Sequence, residues 1–290
     1  MPEGPEVKRT TERLNRILQG KELQEILVED QPWFGKQVRD DIMVLMAHLN
    51  NEPIKIDSVQ CKGKFIYFTM GDYHIHHTLG MTGTWRLPGK GDKKHRRMVL
   101  KMTDGTEITY VDYRKFGTFK IFHDNPQRLV DKLQTLGPDM LNDTPDITVW
   151  LNRMRGSHTR KGYGHKEITQ VMMDQKVVTG IGNYIKAEAL YMAEIHPNAI
   201  VSQLTDDDLT RLYDATVWVI KASYNARGAT IRNYKLPNGD IGDYKFKFKV
   251  YAQKRDPLGY QVKKMETADK RKTHWVPEVQ TRGLSTQTTL

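Results

Sequence analysis

Cysteine is almost missing from this chain: Cys61 is the only one in 290 residues. A single thiol excludes an internal disulfide framework and any zinc site built on several thiolates. Long apolar runs are missing as well. No stretch approaches the roughly 18 residues that a membrane span requires. The opening residues Met1-Pro2-Glu3-Gly4-Pro5-Glu6 have neither the basic nor the apolar region of a signal peptide. There is no nucleophile elbow, phosphate-binding loop or HExxH motif. These absences predict a soluble, intracellular, reduced protein with no membrane partner, no metal and no other cofactor.

Acid is in short supply. Against 45 Lys and Arg stand 35 Asp and Glu, a formal charge of +10. A folded basic protein usually meets a polyanion. The excess is clumped: residues 244–272 hold ten cations and three acids, a net of 10 − 3 = +7. Residues 90–97 add five cations against Asp92, and residues 152–166 add five cations with no acid. Each cluster alone is compatible with a solvated surface; three in one chain favour a binding surface. A cationic membrane-surface protein would carry its charge on an amphipathic helix, whereas the largest cluster here reads as a hairpin.

Hydrophobic spacing predicts a helix over residues 5–18, with Pro5 in its first turn. Short runs rich in β-branched and aromatic residues follow at 64–70, 73–79, 97–102, 107–111 and 118–122, with Gly71-Asp72 and Asp104-Gly105 as hairpin signals. Such a series predicts an antiparallel sandwich or barrel. Asp124-Asn125-Pro126 breaks it. Helical periodicity then takes over at 171–178, 185–193 and 209–224, the last preceded by Thr205-Asp206-Asp207-Asp208 as an N-terminal cap. Residues 234–262 return to strand character, strictly alternating at 245–250. The expected fold class is α+β. An N-terminal β-sandwich domain with its helix covers 1–125, and a linker 126–145. A helical domain follows at 146–240, then a basic β-hairpin at 241–282 and a tail at 283–290.

Three places hold chemistry. A small residue after Met1 permits methionine removal, leaving Pro2 as a secondary amine. An α-amino group titrates at roughly pH 8, so a useful fraction is neutral. A neutral secondary amine attacks an aldehyde-level carbon to give an iminium ion, and Glu3 stands adjacent to relay a proton. Read without context, Pro-Glu-Gly-Pro is also an ordinary polar terminus. The second place is Gly180-Ile181-Gly182-Asn183, a glycine turn entering a helix, whose backbone N–H groups suit phosphate or simply form a corner. The third is His74 and His76 on one strand face, a chelating spacing with no further ligand at a recognisable distance, which reads as structural.

Taken in order, the motifs resemble one family. They are Pro2-Glu3-Gly4-Pro5-Glu6, Gly63-Lys64, Leu79-Gly80-Met81-Thr82-Gly83 and Asp112-Tyr113-Arg114-Lys115-Phe116-Gly117. Leu136-Gly137-Pro138, Asp174-Gln175 with Gly180 to Asn183, Ile195-His196-Pro197 and Arg271-Lys272-Thr273-His274-Trp275 with Gln280 complete the series. Spread from residue 2 to about 282, they resemble the formamidopyrimidine-DNA glycosylase and endonuclease VIII (Fpg/Nei) family of base-excision repair enzymes. The resemblance implies that Pro2 is the nucleophile at C1′, with Glu3 and Glu6 as acids beside it. Lys64 would hold the phosphate next to the lesion. Met81, Arg114 and Phe116 would fill the gap left by an everted base. Asn183 would hold backbone phosphates, with His95, Lys115, His165 and Lys166 as further DNA contacts. It further implies a helix–two-turn–helix DNA-binding domain, a monomer, damaged DNA as partner (duplex, or also single-stranded), and β,δ-elimination after base removal.

The chain departs from the family pattern where most members carry a four-cysteine zinc finger. Leu258, Gln261, Val276 and Val279 stand at those positions, which resembles the zincless-finger branch, with Arg271 in place of the finger arginine and Phe246, Phe248 and Val250 available for packing. Thr78 replaces a usual histidine and Lys115 a usual arginine. A non-catalytic DNA-binding relative is the competing class; it has no reason to keep both Pro2 and Glu3.

Overall fold

The computed structural model describes residues 2–30, 32–33, 41–87, 93–226 and 247–283. They divide into two compact units, one running up to Thr135, the other from Leu136 to Asn225 and from residue 247 on.

The first unit starts with helix α1 (Gly4–Leu18), preceded by Pro2-Glu3 and with Pro5 in its first turn. Its inward face buries Val7, Leu14 and Leu18. Asn15 Oδ1 accepts from the Val59 N–H at 2.7 Å and fixes α1 on the sheet below. The strands are β1 (Glu22–Val28), β2 (Ile54–Lys55), β3 (Ser58–Lys62), β4 (Phe65–Met70), β5 (Tyr73–Thr78), β6 (Thr84–Arg86), β7 (Arg96–Met102), β8 (Glu107–Val111) and β9 (Thr118–His123). Helix α2 (Asp41–Leu49) lies between β1 and β2 in the chain, and α3 (Gln127–Gln134) follows β9.

The strands form two antiparallel sheets, ordered β2-β1-β7-β8-β6 and β3-β4-β5-β9. Apolar residues of both sheets share one core with α1, among them Leu23, Leu100, Trp85 and Tyr110 from the first and Ile66, Phe68, Ile75 and Phe119 from the second. The expected sandwich is therefore present, and Gly71-Asp72 and Asp104-Gly105 do join neighbouring strands. The expectation missed β1. Its pairing with β7 slips between Leu23 and Glu25, and such a bulge destroys the two-residue period on which recognition depends.

The second unit holds α4 (Ile147–Arg155), α5 (Ile168–Met173), α6 (Asn183–Met192), α7 (Asp206–Asn225) and a hairpin of β10 (Lys263–Glu266) and β11 (Lys272–Trp275). Thr205 and Asp208 cap α7 reciprocally: the Asp208 N–H reaches Thr205 Oγ1 at 3.1 Å, and the Thr205 N–H reaches Asp208 Oδ2 at 3.0 Å. Two expectations need correction. The helix anticipated over 171–178 stops at Met173, because Asp174 turns the chain by accepting from the Lys176 N–H at 2.9 Å. The alternating run at 245–250 is not a strand over its described part, 247–250. Buried Glu188 on α6 draws in the backbone N–H groups of Lys249, Val250 and Tyr251 at 2.7–2.9 Å. Amides bound to a carboxylate are lost to a ladder. The loop at 234–243, Phe246 and the tail from 284 lie outside the described residues.

Candidate active site and nucleic-acid interface

In the first unit, Pro2, Glu3 and Glu6 gather at the head of α1. All three are buried, the two glutamates to 1% exposure. Charged side chains tolerate such a place only with hydrogen-bond partners. Glu6 Oε2 accepts from the Glu3 N–H at 2.9 Å, so its carboxylate holds the backbone on which Pro2 is mounted. The position of a helix head is set by its body, here by Asn15 and the Val7–Leu14–Leu18 face. The terminus is thus part of a packed element rather than a loose tail.

Lys64 occupies the two-residue turn between β3 and β4, where Lys62 and Phe65 are the last paired residues. Gly63 adopts φ 57°, the left-handed region that a two-residue hairpin turn demands of its first residue. Lys64 is thereby mounted at a hairpin tip.

Met81 and the pair Arg114–Phe116 are more than thirty residues apart in sequence, yet their loops touch. Gly80 has φ 62°, and a Cβ there would lie 2.5 Å from the Phe116 carbonyl carbon. Only glycine permits that approach. Fully buried Asp112 ties the loops together. Its carboxylate accepts from Thr82 Oγ1 at 2.5 Å, the Arg114 N–H at 3.1 Å and the Gly117 N–H at 2.8 Å. The Arg114 guanidinium sits 4.7 Å from the centre of the Phe116 ring, and Phe116 is 53% exposed. Pattern alone gives Asp112 no task within its motif; its burial reveals one.

His95 neighbours the same loop, its ring 4.4 Å from Tyr113. Lys115 forms an ion pair with Asp30 at 2.8 Å, and Asp30 also pairs with buried Arg97. Burial pushes the Asp30 carboxyl up. The hydrogen bonds from Lys115 and the Trp33 N–H, with the charges of Arg97 and Lys115, outweigh that and hold it below the usual carboxylate range.

In the second unit, the glycine turn before α6 is held by Gln175. Its Oε1 accepts from the Gly180 N–H at 3.1 Å, and its Nε2 donates to Ile181 O at 3.0 Å. Asn183 opens α6 and donates from Nδ2 to Lys272 O on the hairpin at 3.1 Å; its Oδ1 has no hydrogen-bond partner among the described residues. His165 and Lys166 lie on the loop before α5, with the Lys166 ammonium 4.2 Å from the Tyr163 ring centre.

Arg271 is exposed at the turn of the β10–β11 hairpin. The turn is clamped. Fully buried Lys186 of α6 pairs with Asp269 at 2.6 Å, Thr267 donates to the same aspartate, and the Ala268 N–H reaches Glu167 at 3.0 Å. Of the four positions where a zinc finger has cysteine, Val276 is fully buried with Ala187, Tyr191, Val250 and Val262, and Val279 packs against that cluster. Leu258 and Gln261 are exposed. No group of three or more metal-ligating side chains occurs among the described residues, and none of their helices is long and apolar enough to cross a membrane.

Models of the formamidopyrimidine-DNA glycosylase N-terminal, H2TH and C-terminal domains match residues 1–119, 136–235 and 237–281, in that order. A formamidopyrimidine-DNA glycosylase of Enterococcus faecalis is 31% identical over 285 residues, covering 97% of each chain. One from Bacillus cereus is 31% identical over 291 residues, covering 97% of this chain and all of its own. The chain belongs to the formamidopyrimidine-DNA glycosylase family. It is an enzyme of that family, which removes the non-catalytic alternative. The fold agrees. A Lactococcus lactis formamidopyrimidine-DNA glycosylase bound to DNA containing an abasic site superposes with a TM-score of 0.79 at 23% identity, covering 97% of this chain and all of that one. A mutant of the same bacterium's enzyme with Fapy-dG-containing DNA gives 0.81 at 25%, with the same coverage.

Proposed function

We propose that this enzyme excises oxidised bases from DNA in base-excision repair and then cleaves the strand, acting as a monomer. The observation that carries the reading is the packed head of α1, which gathers Pro2, Glu3 and Glu6 in one buried cluster. In the proposed reaction the neutral Pro2 amine attacks C1′, and the base departs with the electrons of its glycosidic bond and takes up the proton that the amine nitrogen sheds. Glu3 protonates the sugar ring oxygen as the ring opens, leaving an iminium ion at C1′. The iminium acidifies the C2′ proton; its loss expels the 3′ phosphate, and a second elimination expels the 5′ phosphate. Lys64, at its hairpin tip, grips the phosphate beside the lesion.

The remaining residues serve base eversion. Extracting a base costs a few kcal/mol of stacking and pairing. An apolar Met81, a planar Arg114 and an aromatic Phe116 replace what is lost, on loops that Asp112 holds in place. Asn183, His95, Lys115, His165 and Lys166 hold the backbone, and Arg271 grips it from the finger. Packing of Val276 and Val279 where cysteines would otherwise stand supports a zincless finger. The substrates are oxidised pyrimidines and ring-opened purines. The Lactococcus lactis enzyme supports this range, having been crystallised both with Fapy-dG-containing DNA and with DNA containing an oxidised pyrimidine.

Borohydride reduction tests the chemistry. With a lesion-bearing or abasic oligonucleotide it should leave a covalent adduct that maps to Pro2, and Pro2→Gly should trap weakly, through its primary amine. An adduct on Lys64 with Pro2 unmodified contradicts the assignment. Since only the neutral amine attacks, excision should also decline on the acid side of the amine's titration.

A further inference from the structure

The outward face of the β3-β4-β5-β9 sheet takes no part in the proposed reaction. Strand pleat sends Ile66, Phe68, Ile75, Phe119 and Ile121 into the core, so the alternate residues Phe65, His74, His76 and Phe122 share the other face. These form a connected aromatic patch. The His76 ring lies 4.5 Å from Phe122 and 5.1 Å from Phe65, and His74 stacks on Phe122 at 5.4 Å. Helix α3 brings two cations over it, one helical turn apart. The Arg128 guanidinium is 5.3 Å from the Phe122 ring centre, and the Lys132 ammonium 5.4 Å from that of Phe65.

Between sheet and helix lies an open pocket of about 440 Å³, lined by His76, Phe122, Asn125, Gln127, Arg128 and Lys132. Small-molecule sites typically occupy roughly 300–1,000 Å³. Asp131 is the one acid in the lining, and Gln127 Nε2 already engages one of its oxygens at 2.7 Å. The two cations therefore outweigh it. His76 is only 9% exposed, and its Nε2 has no hydrogen-bond partner among the described residues. A buried polar nitrogen left unmatched costs stability. Burial, followed by the neighbouring His74, Lys132, Lys120 and Arg128, pushes this imidazole down to about 4. Near neutral pH it is an uncharged ring among cations.

We propose that this pocket is a second ligand site, for a nucleotide whose base packs against Phe122 and His76 and whose phosphate is held by Arg128 and Lys132. Each part answers a feature of the pocket. A base supplies a flat π-face for the aromatic patch. A phosphate satisfies a forked guanidinium and an ammonium together. A neutral aromatic would leave the cations unmatched, and a bare anion would leave the patch uncovered. None of Pro2, Glu3, Glu6 or Lys64 lines the pocket, so the site stands whether or not the excision reading does. The nucleotide is either free or the phosphorylated end of a strand; the recognition chemistry is the same.

The test is titration of the full chain with dAMP, deoxyadenosine and inorganic phosphate, followed through the histidine ring resonances by NMR. The expected result is that dAMP shifts the His76 signals and binds more tightly than either fragment. Arg128→Gln and Lys132→Gln, both on the face of α3 that lines the pocket, should each weaken dAMP by about tenfold, the effect of losing one hydrogen bond to a charged group. Their excision of a lesion from a short duplex should match the wild type. A 5′-phosphorylated trinucleotide that displaces dAMP at comparable concentration identifies a strand end as the occupant, and failure to displace identifies the free nucleotide; both uphold the site. Absence of a dAMP-dependent change at His76, or binding that survives both substitutions, overturns it.

Discussion

Asp112 sets the shape of the loop that presents Arg114 and Phe116, and it does so from a position without solvent. Its two oxygens take a hydroxyl and two backbone N–H groups. Removing the carboxylate leaves the buried Gly117 N–H without its acceptor, at roughly 1–3 kcal/mol. Asp112→Ala should therefore lower the melting temperature and cut excision of an intact lesion, while a preformed abasic site, which needs less eversion work, is cleaved closer to the normal rate. Equal loss on both substrates would move Asp112 from loop positioning to general folding. Lys64 is testable on its own. Each phosphate contact contributes about −0.9 to the slope of log K against log salt, so Lys64→Ala should flatten the measured slope by about one unit and slow turnover. An unchanged slope removes Lys64 from the contacts.

The hairpin that carries Arg271 depends on α6 more than on its own short ladder. Lys186 and Asp269 form an ion pair out of water, with Asp269 4% exposed at its side chain. Breaking one side of such a pair costs roughly 3–5 kcal/mol, because the other charge stays buried and unanswered. Lys186→Met should therefore destabilise the second unit strongly, and adding Asp269→Asn should recover much of the loss. On DNA, Arg271→Ala should bind undamaged duplex almost normally, excise the base poorly and keep much of its abasic-site cleavage. The Lys186→Met/Asp269→Asn pair should show the same asymmetry, since it loosens the turn without touching the arginine. If the double variant is folded and excises as well as the wild type, the clamp has no part in positioning Arg271.

Across the whole molecule, three buried histidines make stability depend on pH. Burial is the first cause in each case, and His76, His77 and His274 are all pushed down to about 4 from an ordinary value of 6.5. His77 shows why the neutral ring is required: Thr118 O lies 2.7 Å from Nδ1, and Trp85 Nε1 donates to Nε2 at 3.1 Å. The folded-state values lie below the unfolded ones, so between pH 6.5 and 4 the unfolded chain binds protons that the folded chain does not. Stability is then fully present above about pH 6.5 and falls as pH drops through that window. Denaturant titrations at pH 7 and pH 5 should give a lower unfolding free energy at the acid value. A flat profile would mean that these rings take up protons without unfolding.

Local pattern alone was enough for part of the regular structure of this enzyme. Helix α1, strands β4, β5, β7, β8 and β9 and the cap of α7 follow from side-chain period and turn chemistry, which neighbouring residues decide among themselves. The motif series was also legible, and with it Pro2, Glu3, Lys64 and Asn183 as candidates. What needed the tertiary structure is everything in which a distant group competes for the backbone or supplies the burial. Residues 247–250 alternate like a strand, yet Glu188, some sixty positions earlier in the chain, captures the amides of Lys249, Val250 and Tyr251. The bulge in β1 makes sense only beside β7. The loop of Met81 meets the loop of Arg114 and Phe116 because Gly80 lets two backbones touch and buried Asp112 binds both. A sequence records which side chains are available; which of them are dry, and therefore decisive, is settled by packing.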